Sequence, residues 1–264
     1  MYVGHNCIAS DELPYINQWI QEGNADFCEL MVDNVAHLSA HALSKALGHH
    51  PISLHIVSSQ FLEKNEKELK ALSDQLRPWI KTFQPLYVSD HLVRFKTDEG
   101  QCLPFVTEYD YEKYAASMKT RISMWQMMLD TSLLFENHAS ITSIGKSQVA
   151  FFDAMIQETG AGLLFDFSNA YIAEINHIEK MSAWDHLIKQ CKHFHVGGFR
   201  IEKTSQLAID THDVSVADEV LHKMKAHYHD VLSRHATLTV EFEVNTDPRI
   251  KKNEIIKIKK YFQK

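Results

Sequence analysis

Positive charge is in short supply in this sequence. It has 27 Lys and Arg residues against 34 Asp and Glu residues, which gives a formal net charge of -7. Nucleic-acid binding that is independent of sequence depends on clustered Lys and Arg side chains that neutralise phosphates. We therefore expect no broad phosphate-binding face and no nucleic-acid partner, although a small basic groove is compatible with this balance.

Long apolar runs and paired cysteines are also missing. No stretch of eighteen apolar residues occurs, and the start, MYVGHNCIASDEL, lacks the basic segment and apolar core of a secretory signal. The four cysteines, Cys7, Cys28, Cys102 and Cys191, show no CxxC spacing. This spacing argues against a disulfide framework or a zinc ribbon. Together these absences predict a cytoplasmic protein that does not bind membranes.

What the sequence does contain is a repeated alternation of short β-rich runs with longer helical patterns. The 264 residues are 45% hydrophobic, which is enough for one large core. We count eight strands, near residues 2–8, 26–32, 51–57, 85–91, 132–137, 162–167, 193–198 and 238–243. Eight βα units in a chain of this length predict an α/β fold, a closed (β/α)8 barrel of the TIM type. No internal repeat or linker is visible, so we expect a single domain over residues 1–264.

Two helices stand out between these strands. Residues 62–83 carry leucines at helical spacing, and Pro78 is expected to kink or divide the helix. Residues 110–130 form the second pattern. Its methionines are expected in the core or in helix packing rather than in a cofactor site, namely Met118, Met124, Met127 and Met128.

Two further segments lie outside the regular alternation. Residues 93–105, VRFKTDEGQCLPF, have a DEG turn between alternating side chains, which predicts a small hairpin insertion near 92–106. Such an insertion could shape the mouth of a substrate site. The Lys-rich tail from residue 249 predicts a closing helix whose buried stripe consists of isoleucines, with lysines opposite: Ile250, Ile255, Ile256 and Ile258.

A ligand-type side chain stands at the end of one predicted strand after another. The six residues are His55, His91, Glu136, Asp166, His195 and Glu241. Alternate residues of a barrel strand face the interior, and barrel enzymes build their sites at the carboxyl ends of the strands. In LLFEN and LLFDF the polar residue takes one face, while the aromatic neighbours take the other. The pattern therefore predicts that these side chains meet at one rim.

Bound cations would explain why so many ionisable groups converge. Burying an uncompensated charge costs several kcal/mol, and a mixture of imidazole and carboxylate suits zinc, iron or manganese. Three more candidates lie close by in the sequence, Asn169 three residues after Asp166, and Asp210 with His212 beyond the seventh strand. Nine ligand-type residues exceed what one ion uses. We therefore predict a cluster of two or three ions, with Glu136 as a bridging ligand.

Single histidines carry much less weight than this joint pattern. One histidine at a strand end is more often a hydrogen-bonded structural residue than a ligand. His193 shares its face with His195 and could be a deeper partner, but we do not assign it as a ligand. Asp90, next to His91, is a candidate acceptor for an imidazole N–H.

These residues resemble the ligand set of the xylose-isomerase-like barrels, and in particular of the endonuclease IV type of abasic-site nuclease. The order of ligands in that type is similar to His55, His91, Glu136, Asp166, His195, Asp210 with His212, and Glu241. One position departs, because Asn169 stands where the nuclease has a histidine. An amide is a weaker ligand, which counts against a permanently filled third position and against nuclease chemistry.

A narrower resemblance is to the multinuclear non-heme iron-dependent oxidative enzymes, and within them to the members that make methanobactin. It covers nearly the whole chain and rests on the stretches ELMVDNVAHL, HIVSS, YVSDH, ENHAS, LLFDFSNA, HFHVGG and IDTHD. The resemblance implies two or three iron ions in a mixed Fe(II)/Fe(III) state, with dioxygen as co-substrate. It also implies an MbnA-like precursor peptide whose cysteine becomes an oxazolone with an adjacent thioamide, and a small MbnC-like partner protein that forms a heterodimer with the enzyme.

The resemblance also suggests roles for individual residues. On this hypothesis His55, His91 and Glu136 hold one ion. The second ion is shared by Glu136, Asp166, His195 and Glu241, and the third by Asn169, Asp210 and His212. Catalytic roles are assigned to Glu136, Asp166 and Asp210.

Three other functions remain open at this stage. A metal-dependent phosphodiesterase would use the same cluster with hydroxide, but the acidic composition and Asn169 count against it. A sugar isomerase or epimerase also uses carboxylates at strand ends, usually with fewer metals. A scaffold that only binds a peptide would leave the nine ligand-type residues without a purpose.

Overall fold

Eight parallel strands close into a barrel. The first and last residues of each strand differ from the predicted ones by at most three positions. The computed structural model describes residues 1–142, 145, 147–233, 235–243 and 245–263, with the backbone only at residue 105. The barrel strands are β1 (Tyr2–Cys7), β2 (Phe27–Met31), β3 (Ile52–His55), β4 (Val88–His91), β7 (Leu134–Glu136), β8 (Gly162–Asp166), β9 (His193–Gly197) and β12 (Thr237–Glu241). Their order around the barrel is β1, β12, β9, β8, β7, β4, β3, β2. The predicted (β/α)8 barrel is therefore confirmed.

Helices occupy most of the connections between the barrel strands. They are α1 (Leu13–Gln21), α2 (Val32–Val35), α3 (Ala40–Leu47), α4 (Glu66–Phe83), α5 (Ala115–Leu129), α6 (Gln148–Thr159), α7 (Phe167–Ile175), α8 (Asp185–Ile188), α9 (Asp218–Leu232) and α10 (Pro248–Gln263). Within the described ranges, no helix is both long enough and apolar enough to cross a membrane.

The alternation of each strand explains how the barrel is filled and covered. Phe135 and Phe165 flank the ligand positions of β7 and β8, and both are fully buried on the outer face of the barrel. Phe135 packs 5.5 Å from the ring of Phe61, and Phe165 packs 5.5 Å from Trp184. Each such ring contributes roughly 1.5–3 kcal/mol of burial. The aromatic residues thus anchor the outer layer and leave the polar residues to the interior.

Two short antiparallel ribbons extend the barrel at its carboxyl end. The predicted hairpin is present as β5 (Val93–Lys96) and β6 (Cys102–Glu108), directly after β4. A second ribbon, which the sequence pattern did not reveal, pairs β10 (Phe199–Ile201) with β11 (Ala208–Asp210). Its role is to return the chain to the rim, because Asp210 is the last residue of β11.

Both of the helices that stood out in the sequence are present, and one of the methionine predictions was wrong. Helix α4 runs through Pro78 without division, since the buried Leu76 and Trp79 fix it to the core on both sides of the proline. In α5 the buried face is Met118, Ile122, Trp125 and Leu129, so Met127 lies on the opposite side and is 76% exposed. Met124 and Met128 pack partly buried against the core, as expected.

The closing helix α10 buries only part of its predicted stripe. Ile255 and Ile258 are buried and Ile256 is half-buried, but Ile250 is 50% exposed. Lys251 takes the place of Ile250 on the buried face. It is tolerated there because its ammonium pairs with the carboxylate of Glu12.

Candidate metal centre

His55, His91 and Glu136 form the first group at the rim of the barrel. The strand register pairs His91 with Glu136 and places His55 one strand away. The two imidazole Nε2 atoms of His55 and His91 are 2.8 Å apart. They lie 3.5 Å and 3.6 Å from Oε2 of Glu136. Two nitrogens and one carboxylate oxygen so close together have the chemistry of three ligands to one cation.

The second group shares Glu136 with the first. It consists of Glu136, Asp166, His195 and Glu241, whose ligand atoms all lie within 4.8 Å of one another. Nδ1 of His195 is 3.3 Å from Oε1 of Glu241 and 3.5 Å from Oε2 of Glu136. All four side chains are at most 4% exposed. The structure thus brings together the six predicted strand-end residues.

Asp210 and His212 complete the rim from the second ribbon. Nε2 of His212 lies 2.9 Å from Oδ1 of Asp210 and 3.6 Å from Oε2 of Glu241. The His212 backbone has a φ of 48°, in the left-handed region, and its N–H donates to the Gly198 carbonyl at 2.8 Å. A Cβ on Gly197 would lie only 2.3 Å from Cδ2 of His212. The glycine therefore makes room for the imidazole ring.

Asn169 lies beside the cluster because of the way α7 begins. Asp166 is the N-cap of that helix, and its Oδ1 accepts the Asn169 backbone N–H at 2.6 Å. The Asn169 side chain donates through Nδ2 to Oε1 of Glu136 at 3.0 Å and to the carbonyl of Asn137 at 2.9 Å. Its Oδ1 remains available as an oxygen ligand.

Several buried atoms of the cluster have no hydrogen-bond partner among the described residues. Among the described residues, the side-chain atoms with no partner include Glu136 Oε2, Asp166 Oδ2, Asn169 Oδ1, His195 Nδ1, Asp210 Oδ1 and His212 Nε2. Each unsatisfied buried group costs about 1–3 kcal/mol, and more if it is charged. The donor set of carboxylate oxygens and imidazole nitrogens fits divalent transition-metal ions, which would satisfy all six atoms.

Burial also determines the protonation of four side chains in the cluster. Burial lowers the pKa of the His55 imidazole to about 3 and that of His91 to about 4, so both rings are neutral, as ligands must be. Burial raises the pKa of Glu136 to about 8, and neighbouring Glu241 adds to this. Burial likewise raises the pKa of Asp166 to about 7. Without a cation the carboxyl groups therefore hold protons that a metal would displace.

His195 and Glu241 shift in the opposite direction. Burial lowers the pKa of His195, but the surrounding carboxylates, Glu29 first among them, outweigh burial and hold it well above its usual range. Burial raises the pKa of Glu241, but His195 and His212 outweigh it and hold the pKa well below its usual range. The two groups form a charged pair inside the cluster.

The hydrogen bonds that His55 and Asp90 make outside the cluster were only partly predicted. Nδ1 of His55 bonds to Oγ of Ser89 at 2.7 Å, which leaves Nε2 facing the cluster. Asp90 does not accept an imidazole N–H, and that prediction was wrong. It points away from the rim and accepts from the His91 backbone N–H and from Trp125 Nε1, because adjacent strand residues face opposite sides.

Three polar residues near the cluster were missed. Glu29 and Tyr87 lie below it and contact His195. Glu29 stands at an inward position of β2, so strand parity alone could have found it, whereas Tyr87 immediately precedes β4. His138 follows β7 and is half-buried, and burial lowers its pKa to about 4. His193 bonds to Thr237 at 2.9 Å and packs against Tyr87, away from the ligand atoms.

Comparisons with known proteins give a consistent result. A family model described as "RiPP precursor modification enzyme MbnB/TglH/ChrH" matches residues 12–263. A UPF0276 protein of Psychromonas ingrahamii is 28% identical over 67% of this chain and 65% of its own length. Another, from Paraburkholderia phytofirmans, is 29% identical over 70% of this chain and 61% of its own. The chain thus spans a little under two thirds of the length of these curated relatives.

Solved structures show the same barrel at low sequence identity. A xylose isomerase-like TIM barrel protein from Mycobacterium smegmatis, in complex with magnesium, aligns with a TM-score of 0.67 at 13% identity, over 99% of this chain and 96% of that one. Endonuclease IV from Thermus thermophilus aligns with a TM-score of 0.65 at 15% identity, over 100% and 99%. These likenesses establish a xylose-isomerase-like barrel.

Proposed function

Because this chain belongs to the MbnB/TglH/ChrH family of RiPP precursor modification enzymes, we propose that it oxidises a cysteine in a ribosomally synthesised precursor peptide with a cluster of iron ions and dioxygen. The product proposed is that of the methanobactin-forming members, an oxazolone with an adjacent thioamide. A small MbnC-like partner would present the MbnA-like peptide.

The observation that carries the proposal is the set of unsatisfied ligand atoms in the barrel rim. Six of the nine proposed metal ligands bury an oxygen or nitrogen that has no partner among the described residues. A hydrophobic or hydrogen-bonded interior would not tolerate so many such atoms. A family that modifies peptides, combined with a preformed multinuclear donor set, favours metal-dependent peptide chemistry over a binding scaffold.

The distances support a division of the ligands among separate ions. His55, His91 and Glu136 form one compact group, while Glu136, Asp166, His195 and Glu241 form another. Asn169, Asp210 and His212 remain for a third. Glu136 is common to the first two groups and is therefore the proposed bridge.

Iron suits this donor set in two respects. Neutral imidazoles accommodate Fe(II), and the several carboxylates favour the harder Fe(III), so a mixed state is compatible with the residues present. When bound, such a cluster would supply coordination positions for a substrate thiolate and for dioxygen, and the redox capacity for the oxidation.

The residues also determine from which side a peptide can reach the cluster. Among the nine ligands, His91, Asp210 and His212 have the most exposed side chains, at 21%, 28% and 19%. Glu136, Asp166, His195 and Glu241 are closed off by the strands around them. The cysteine should therefore approach between the end of β4 and the second ribbon, while the buried carboxylates exclude bulk water from the far side.

The proposal is tested with anaerobically purified protein, the cysteine-containing peptide encoded beside its gene and the neighbouring partner protein. We expect two or more iron ions per chain, dioxygen consumption only when peptide is present, and a peptide product that differs in mass and absorbance. A protein that holds zinc and cleaves abasic-site DNA would contradict the proposal. So would an iron-loaded protein that leaves the peptide unchanged in the presence of its partner.

A further inference from the structure

A carboxylate lies below the metal centre and contacts one of its proposed ligands from behind. Glu29 is fully buried on β2, and the strand register places it opposite Ser53, two residues below His55. Its Oε2 accepts from Nε2 of His195 at 3.1 Å and from Ser53 Oγ at 3.3 Å. It also accepts a short hydrogen bond from the Tyr87 hydroxyl.

Tyr87 fixes the direction of the hydrogen bonds around this carboxylate. Its hydroxyl lies 3.1 Å from Oγ1 of Thr239 and 3.3 Å from Nε2 of His195. Since a carboxylate only accepts, the tyrosine proton is directed to Glu29, and the tyrosine oxygen accepts from Thr239. The Nε2 nitrogen of His195 then has acceptors around it and must keep its own proton.

This arrangement determines which nitrogen of His195 faces the cluster. In the neutral, metal-binding form of His195 the proton would be on Nε2 and the lone pair on Nδ1, which lies 3.3 Å from Glu241 and 3.5 Å from Glu136. The other three histidines present Nε2 instead, as their contacts with Glu136 and Asp210 show. His195 is thus the exception among the four proposed imidazole ligands.

Burying the Glu29 carboxylate costs free energy, which its contacts must offset. Across the part of the chain that the structure describes, its only cationic neighbour within salt-bridge distance is His195. A buried carboxylate without a Lys or Arg partner costs several kcal/mol. Histidines that bind metals commonly donate their second N–H to a carboxylate, which orients the ring and raises its basicity.

We infer that Glu29, held by Tyr87, is a positioning residue that orients His195 and keeps its Nδ1 free to bind metal. The inference rests on the metal-binding part of the proposed function and goes beyond it, because neither Glu29 nor Tyr87 is among the proposed ligands. Glu29 acts through His195 and touches neither the peptide nor the reacting atoms.

The test measures zinc retention, which does not depend on peptide oxidation. Wild-type protein and the variants Glu29→Gln, Glu29→Asp and Tyr87→Phe are loaded with zinc and titrated with a chelator. We expect Glu29→Gln to release zinc at roughly 10–100-fold lower chelator concentration, Tyr87→Phe to show a smaller effect, and Glu29→Asp to recover part of the loss. The matched control is Glu254→Gln, a buried glutamate that contacts Val216 and Lys257 on the outside of the barrel, and it should behave as wild type.

A spectroscopic signature separates positioning from a general structural role. In the ring ¹⁵N spectrum of the zinc-loaded wild type, one histidine should carry metal on Nδ1 and a proton on Nε2. That signal should shift or vanish in Glu29→Gln and persist in Glu254→Gln.

Each remaining outcome overturns one specific statement. If Glu29→Gln retains zinc as wild type does, or loses one whole ion while the others bind unchanged, Glu29 is not a positioning residue; the second result would make it a ligand. If wild type holds zinc as expected but iron-loaded protein modifies no peptide, the proposed function fails and the assignment of Glu29 stands.

Discussion

The side-chain amide of Asn169 donates to Oε1 of Glu136 at 3.0 Å. This bond joins the ligand position that departs from the nuclease pattern to the carboxylate that two proposed ion sites share. Oδ1 of Asn169 has no hydrogen-bond partner among the described residues, while its amide nitrogen holds the proposed bridging carboxylate. The same residue thus contacts the proposed bridge and is itself a proposed ligand of the third ion.

Replacing Asn169 by Ala should reduce the metal content by about one ion per chain. The third group loses an oxygen ligand, whereas the first two groups keep all of theirs, so the remaining ions should bind with only modestly lower affinity. Metal analysis after anaerobic loading measures this. The control is Asn65→Ala, which removes the cap of α4, a side chain that accepts from the Glu68 backbone N–H. This variant should cost about 1 kcal/mol of stability without loss of metal. Equal loss at all sites would contradict the division of ligands.

Replacing Glu136 by Ala should remove at least two ions, because the residue belongs to two groups. Both Glu136→Ala and Asp166→Ala should abolish activity. Glu136→Gln keeps the volume of the side chain, and its metal-free form should unfold at a temperature no lower than that of wild type, since it removes one of several crowded carboxyl groups. Full iron content and full turnover in either alanine variant would show that the site has been assigned wrongly.

Gly197→Ala should selectively disturb His212. The new Cβ would lie 2.3 Å from Cδ2 and 2.6 Å from Nε2 of that ring, so the imidazole must leave its position. We expect the loss of about one ion and at least a tenfold loss of activity. The control is Gly162→Ala at the start of β8, where the Cβ meets only the flexible end of Leu134. If both variants lost the same amount of metal, the effect would be on the barrel and not on His212.

The metal-free protein should lose stability as the pH rises from 6.5 to 8. Folding raises the pKa of Glu136 from 4.5 to about 8 and that of Asp166 from 3.8 to about 7. The folded state then binds more protons than the unfolded state, and its stability falls toward the higher pKa. His55 and His91, whose pKa values are lowered from 6.5, oppose this only below pH 6.5.

The expected change is on the order of 1–2 kcal/mol, or a few degrees in the unfolding temperature. Thermal unfolding with a chelator present measures it. The metal-loaded protein should show the opposite trend, because protons compete with the metal for the same ligands. A metal-free protein whose stability rises between pH 6.5 and 8 would contradict the protonation described for the cluster.

Strand parity predicted the rim because the inner and outer faces of this barrel differ so strongly in polarity. At the ends of β7 and β8 the outward residues, Phe135 and Phe165, are fully buried aromatics and the inward ones, Glu136 and Asp166, are carboxylates. The same alternation therefore predicts both the strand and the candidate ligand. Asp210 and His212 were also anticipated, but the ribbon that carries them was not. Strands β10 and β11 have three residues each, too few for a periodic signal.

What the sequence did not reveal are the contacts across the barrel. Asp90 was expected to bond to an imidazole because of its position beside His91, but it faces the outer side of β4, where it accepts from Nε1 of Trp125 on α5. Glu29 lies in the middle of β2 rather than at its end, so it does not belong to the pattern of ligand-type residues at strand ends. Its partners Tyr87 and His195 are 58 and 166 residues away along the chain, and only the closed barrel brings them together.

The order of strands in the barrel has a consequence for how this protein comes into being. The first strand pairs with the last, β12, which ends in Glu241. A chain emerging from the ribosome therefore cannot assemble the second ligand group until β12 has been made. The first proposed group, His55, His91 and Glu136, contains no residue of β12, whereas the second group must wait for the ring to close. The second of the proposed ion sites would thus form late in folding, when β1 and β12 have paired.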